Sequence, residues 1–176
     1  NLPLPVFFPP VLFSLLSYDN CSHYFDSFVF SLSICELKRK GIIRSKNVVG
    51  DIGEYLAIDY YCKTSGLPKL QFAPPSTENI DAISIKGERY SIKSTTNNTT
   101  SVFYGLNPLG SEENQRQLFE YVLIVILNNS YQLEQIIQLD WRLFLAHKKW
   151  HSRMGAWHLV ISKKLLADAK IIFSLR

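Results

Sequence analysis

Glu54, Asp81, Ser91 and Lys93 are the residues whose types and order could do chemistry together. A carboxylate, a hydroxyl and an ammonium on one patch could hold a cation, position a water and offset developing negative charge. Whether they meet depends on residues 79–96, where Ile83 and Ile85, then Tyr90 and Ile92, alternate with polar residues on either side of Lys86-Gly87-Glu88. That period predicts two half-buried strands joined as a hairpin. With residues 86–88 as the loop and Gly87 left-handed, Ile85 pairs with Arg89, Ile83 with Ser91 and Asp81 with Lys93. Cross-strand partners share a face, so Asp81, Ser91 and Lys93 would form one patch. An even-numbered loop would put Asp81 and Lys93 on opposite faces.

The fourth residue, Glu54, lies in Gly50-Asp-Ile-Gly-Glu-Tyr-Leu-Ala-Ile-Asp-Tyr-Tyr-Cys62, a helix of about three turns that Gly66 and Pro68 must end. Its apolar residues reach nearly all round, which predicts extensive burial. Glu54 then falls between Ile58 and Tyr61 and needs a cationic partner. The alternative is a capping box, with Asp51 as N-cap and Glu54 reciprocating.

The other elements frame these positions. Leu70–Ala73 reads as a short strand, and residues 111–117 as one or two helical turns. Phe119–Leu127 is continuously apolar and β-branched, the pattern of a central strand covered on both faces. Gln132–Leu139 is expected beside it. Asp140 should cap a helix from Trp141 to about Trp150, Ala156–Ile161 should be a strand, and Ser162 should cap a last helix near 163–170. The mixture predicts an α/β fold, a mixed central β-sheet flanked by helices.

Helical Glu54, hairpin Asp81 and Ser91-Ile-Lys93 together resemble the PD-(D/E)xK nuclease superfamily, over roughly Gly50 to Ile137. The helix 50–56 and Ile92-Lys-Ser-Thr-Thr96 look like those of its uncharacterised members. The resemblance implies a restriction-endonuclease-like core and a metal-dependent DNA endonuclease of restriction or repair type. It implies Asp81 as the main metal ligand, Glu54 as a further ligand or second acid, and Lys93 beside the attacking water. Mg²⁺, or Mn²⁺, suits such oxygen ligands. At Ser91 the family pattern carries an acid, so an inactive nucleic-acid-binding module on the same fold is the alternative. A simple surface ion pair between Asp81 and Lys93 is the structural alternative. Nucleases that cut both strands often act as dimers, so a homodimer is one arrangement to expect.

A second group of residues is His147-Lys-Lys-Trp-His-Ser-Arg-Met-Gly-Ala-Trp-His158. Lys148, Lys149, Trp150, His151 and Arg153 interleave cations with an aromatic ring, which suits phosphate contacts and base stacking. Core tryptophans rimmed by solvated cations are the plainer interpretation. His147 and His151, four apart on the expected helix, could hold zinc, but no acidic or Cys partner is near.

The chain has 176 residues and a net charge of +4. Residues 1–35 hold only Asp19 and Asp26 as Asp, Glu, Lys or Arg, so residues 36–176 carry a basic excess suited to a polyanion. This divides the chain into an apolar segment, 1–35, and one domain, 36–176. Leu2–Leu16 is broken by four prolines and Tyr24–Ile34 is short, so neither reaches the about 20 apolar residues of a membrane span. Nor does the segment look like a signal peptide. It begins without Met and reads as a fragment or as sequence upstream of the true start. Three cysteines without metal-type spacing point to a reducing, cytoplasmic setting.

Overall fold

The computed structural model describes residues 18–74 and 77–175. The proline-broken run Leu2–Leu16 lies outside the described residues. Two compact units part between Gly41 and Ile42. The first contains helix α1 (Tyr18–Arg39), which runs across residue 35. Gly41, at φ +71°, stops it, and Glu36 pairs with Arg39 (2.7 Å) and Lys40 (3.4 Å) in its last turns. Among the described residues, no helix is long and apolar enough to cross a membrane.

The second unit is built on a mixed sheet of six strands. These are β1 (Leu70–Phe72), β2 (Ala82–Ser84), β3 (Arg89–Thr95), β4 (Tyr121–Leu127), β5 (Leu133–Asp140) and β8 (Lys170–Ser174), and they lie side by side in that order. Only β3 and β4 run parallel. As expected, β4 is central, with Val122, Leu123, Ile124 and Val125 completely buried. Its apolar residues serve both faces. Leu123 and Val125 pack with Ala57, Ile58 and Tyr61 of helix α2 (Val48–Lys63), together with Tyr90, Ile92 and Ile136. Val122 and Ile124 pack on the other face with Phe103, Phe119 and Phe144.

That second face is covered by two short helices, a small hairpin and the connection between β3 and β4. Helix α3 (Trp141–His147) is capped by Asp140, which accepts a hydrogen bond from Leu143 N (2.7 Å). Helix α4 (Lys163–Asp168) is capped by Ser162 in the same way. The hairpin is β6 (Lys148–His151) with β7 (Ala156–Leu159). The connection reaches β7 through bridges Thr99 to Val160 and Phe103 to Trp157.

Three expectations are corrected. The helix from Trp141 ends at His147, because residues 148–151 turn extended and Trp150 packs across the hairpin against Trp157. Residues 111–117 form no helix; Gln115 instead accepts a hydrogen bond from Asn107 N (2.6 Å), which ties the segment back on itself. The capping box is absent, since Asn47 is the N-cap and Asp51 lies in the first turn, accepting from Arg44 N (2.7 Å) and Ser45 N (2.5 Å).

Candidate active site

The β2–β3 hairpin closes through an odd loop, Ile85–Gly87, with Gly87 at φ +83°. The loop begins one residue earlier than the alternation suggested. Ser84 is the cause: its hydroxyl accepts from Lys86 N (3.2 Å) and Glu88 N (3.1 Å) and donates to Glu88 Oε2 (2.9 Å). Ile83 therefore pairs with Arg89, not Ser91, and Ile85 sits on the turn, 80% exposed. The register moves by two residues, so its parity and the shared face survive. Asp81 N donates to Tyr90 O (2.9 Å), and the Asp81 carboxylate meets the Ser91 hydroxyl (3.3 Å) instead of Lys93.

Asp81 is fixed where β2 begins. Its Oδ2 accepts hydrogen bonds from Ile92 N (2.6 Å) and the Ser91 hydroxyl (3.3 Å). Both bonds fall on Oδ2, which leaves Oδ1 for a ligand. Lys93 follows two residues along β3. Ile92 packs toward α2, so alternation turns Ser91 and Lys93 to the other face, where the Lys93 ammonium lies 5.3 Å from the Phe103 ring. Among the described residues Lys93 makes no ion pair, so the simple Asp81–Lys93 bridge does not form.

Glu54 approaches from α2. Gly53 lets this helix come so close to β3 that a Cβ there would meet Ser94 Oγ at 1.7 Å. Burial raises the Glu54 carboxyl above its ordinary range, and the negative charge of Asp81 raises it further, while Arg44 pulls it down. The two carboxylates thus lie within each other's field. The cation that Glu54 requires is Arg44, which pairs with it and rests its guanidinium 4.0 Å over the Phe72 ring. Sequence reasoning missed Arg44, because the loop that returns it to α2 carries no periodic signal.

Among the described residues, no group of three or more His, Cys, Asp or Glu could hold a metal ion. What the hairpin offers a divalent cation is smaller: Asp81 and the Ser91 hydroxyl, with the Glu54 carboxylate coming from α2 on the other face of β3. An ion that keeps several waters and takes one or two carboxylates, as Mg²⁺ does, fits that donor set.

The basic segment is divided by its hairpin. Lys148 and Trp150 stand opposite Leu159 and Trp157, whereas Lys149 and His151 stand opposite His158 and Ala156. Trp150 and Trp157 meet edge to face at 5.1 Å, Trp157 donates its ring N–H to Asn107 O (2.7 Å), and Lys148 Nζ lies 4.0 Å over Trp157. Burial lowers the Lys148 ammonium. Lys149 and Arg153 remain exposed. His147 ends α3 and bonds Asp168 (2.8 Å), while His151 packs against His158 (5.3 Å), so the expected His147–His151 face does not exist. The His158 imidazole is pushed down by burial, then by His151 and Lys149.

No protein-family model matches this chain, and no curated protein matches its sequence.

Proposed function

We propose that the chain is a metal-dependent DNA endonuclease of restriction or repair type on a restriction-endonuclease-like core. One observation carries this reading: the Asp81 carboxylate meets the Ser91 hydroxyl (3.3 Å), Lys93 turns to the same face as Ser91 and makes no ion pair among the described residues, and Glu54 on α2 lies within the field of Asp81. Mg²⁺ or Mn²⁺ bound there would neutralise a phosphate and supply hydroxide near neutral pH. Asp81 Oδ1 and the Glu54 carboxylate would hold it. Lys93 would offset charge on the attacked phosphate, since among the described residues no carboxylate pairs with its ammonium. Lys149 and Arg153 would meet the DNA backbone, with His151 beside them and Lys148 and Trp150 on the opposite face of the hairpin.

The second reading, a binding module without catalysis, is favoured by Ser91, a neutral weak ligand where the pattern carries an acid. The best test replaces Asp81 with Asn, which retains an oxygen for Ile92 N; Asp81→Ala would orphan that donor and confuse folding with chemistry. With Mg²⁺ and plasmid DNA, Asp81→Asn should lose at least about a hundredfold in cleavage rate while its urea midpoint stays near wild type. Undiminished cleavage removes Asp81 from the reaction. Metal-independent DNA binding with no cleavage by the wild type establishes the module instead.

A further inference from the structure

A cleft of about 430 Å³ opens beyond the C-terminal end of α2, lined by Gly66–Pro68 and by the ends of β3, β4, β5 and β8. Glu54 stands apart from it, with about 14 Å of helix axis between Glu54 and the end of α2 at Lys63. Its size falls within the range of small-molecule sites.

Three kinds of recognition are gathered there. Tyr121 is half-buried, and its ring is backed by that of fully buried Tyr90 (centroids 5.1 Å apart, planes at 29°), giving a firm surface on which a flat ring can stack. Gln138 and Glu88 supply polar groups whose orientation is set from behind. Buried Tyr61 donates its hydroxyl to Gln138 Oε1 (2.6 Å), which leaves the amide N–H groups for a ligand. Ser84 (2.9 Å) and Tyr90 (3.4 Å) both donate to Glu88 Oε2, which leaves Oε1 as an acceptor. Lys86 and Lys170, both exposed, add two positive charges at the rim.

We propose that this cleft binds a nucleoside monophosphate unit, its base stacked on Tyr121 and read by Gln138 and Glu88, its phosphate held by Lys86 and Lys170. A donor and an acceptor on fixed side chains suit the edge of a heterocyclic base better than a plain hydrocarbon ring. The two lysines give the phosphate its place. The proposal does not depend on Asp81 or Glu54.

Isothermal titration of the full chain with AMP, adenosine and inorganic phosphate tests it. AMP should bind saturably and more tightly than either fragment. Tyr121→Leu should weaken AMP by roughly tenfold or more through loss of stacking. The paired surface changes Lys86→Glu and Lys170→Glu, which disturb no core, should weaken AMP strongly and adenosine little. A 5′-phosphorylated dinucleotide that competes with AMP assigns the site to a strand end; one that does not assigns it to free nucleotide. The proposal is overturned if AMP gives no saturable binding at millimolar concentration, if inorganic phosphate binds as well as AMP, or if the lysine pair leaves AMP affinity unchanged.

Discussion

At the scale of single residues, Glu54 carries a prediction whose sign is fixed by its surroundings. Its carboxyl is raised above the ordinary value of 4.5, first by burial and then by Asp81. The native state therefore holds that proton more tightly than the unfolded chain. Its contribution to stability is complete below about pH 4.5 and is lost as pH rises through the raised value. Glu54→Gln cannot ionise, so its stability relative to wild type should increase as pH rises above about 4.5, read from urea midpoints. A difference that stays flat would mean that Arg44 balances both burial and Asp81. From the sequence Glu54 was either half of a capping box or a carboxylate in need of a cation; which cation was hidden, because Arg44 arrives through an irregular loop. Asp81 and Ser91 were legible as neighbours only up to a shift of two, since alternation fixes the parity of a hairpin but not its turn. Ser84, whose hydroxyl stitches that turn, decided the rest.

At the scale of elements, the approach of α2 to β3 depends on Gly53. Gly53→Ala would put a Cβ 1.7 Å from Ser94 Oγ and 2.5 Å from Ser94 Cβ, so the helix must move. Alanine favours a helix by about 1 kcal/mol over glycine, against an overpacking cost of about 1–3 kcal/mol. A net loss of stability is expected, visible as a lower urea midpoint, with Glu54 carried away from Asp81. On the opposite face, Asp140→Ala should cost about 1 kcal/mol by removing the α3 cap, measured in the same way. Both caps were readable, because Asp140 and Ser162 each precede an apolar run. So was β4, whose seven apolar residues admit no other interpretation. By contrast β6 was mistaken for helix: Lys148-Lys-Trp-His151 has no strand alternation of its own, and its state is set by the tryptophan across the hairpin. β8 also escaped notice, since Lys170–Ser174 is short, largely exposed and placed only by pairing with β5.

Across the whole second unit, one seam differs from the others. β3 and β4 lie parallel, and the chain between Thr95 and Tyr121 must cross the sheet to join them without a helix of its own. It holds its course by pairing with β7 and by burying Phe103 and Phe119 in an aromatic cluster with Trp141 and Phe144. Arg89 and Glu120 clasp the start of the seam with paired hydrogen bonds of 3.0 and 2.6 Å. The candidate site lies on β3, one of the two strands that this closure joins. Seams between strands distant in sequence form late, because the entropy of a long loop is lost before any contact repays it. This junction is expected to form after the adjacent turns. Inserting glycines beside exposed Leu109–Gly110 should slow refolding in stopped-flow measurements yet leave equilibrium stability within about 0.6 kcal/mol, the cost of doubling such a loop.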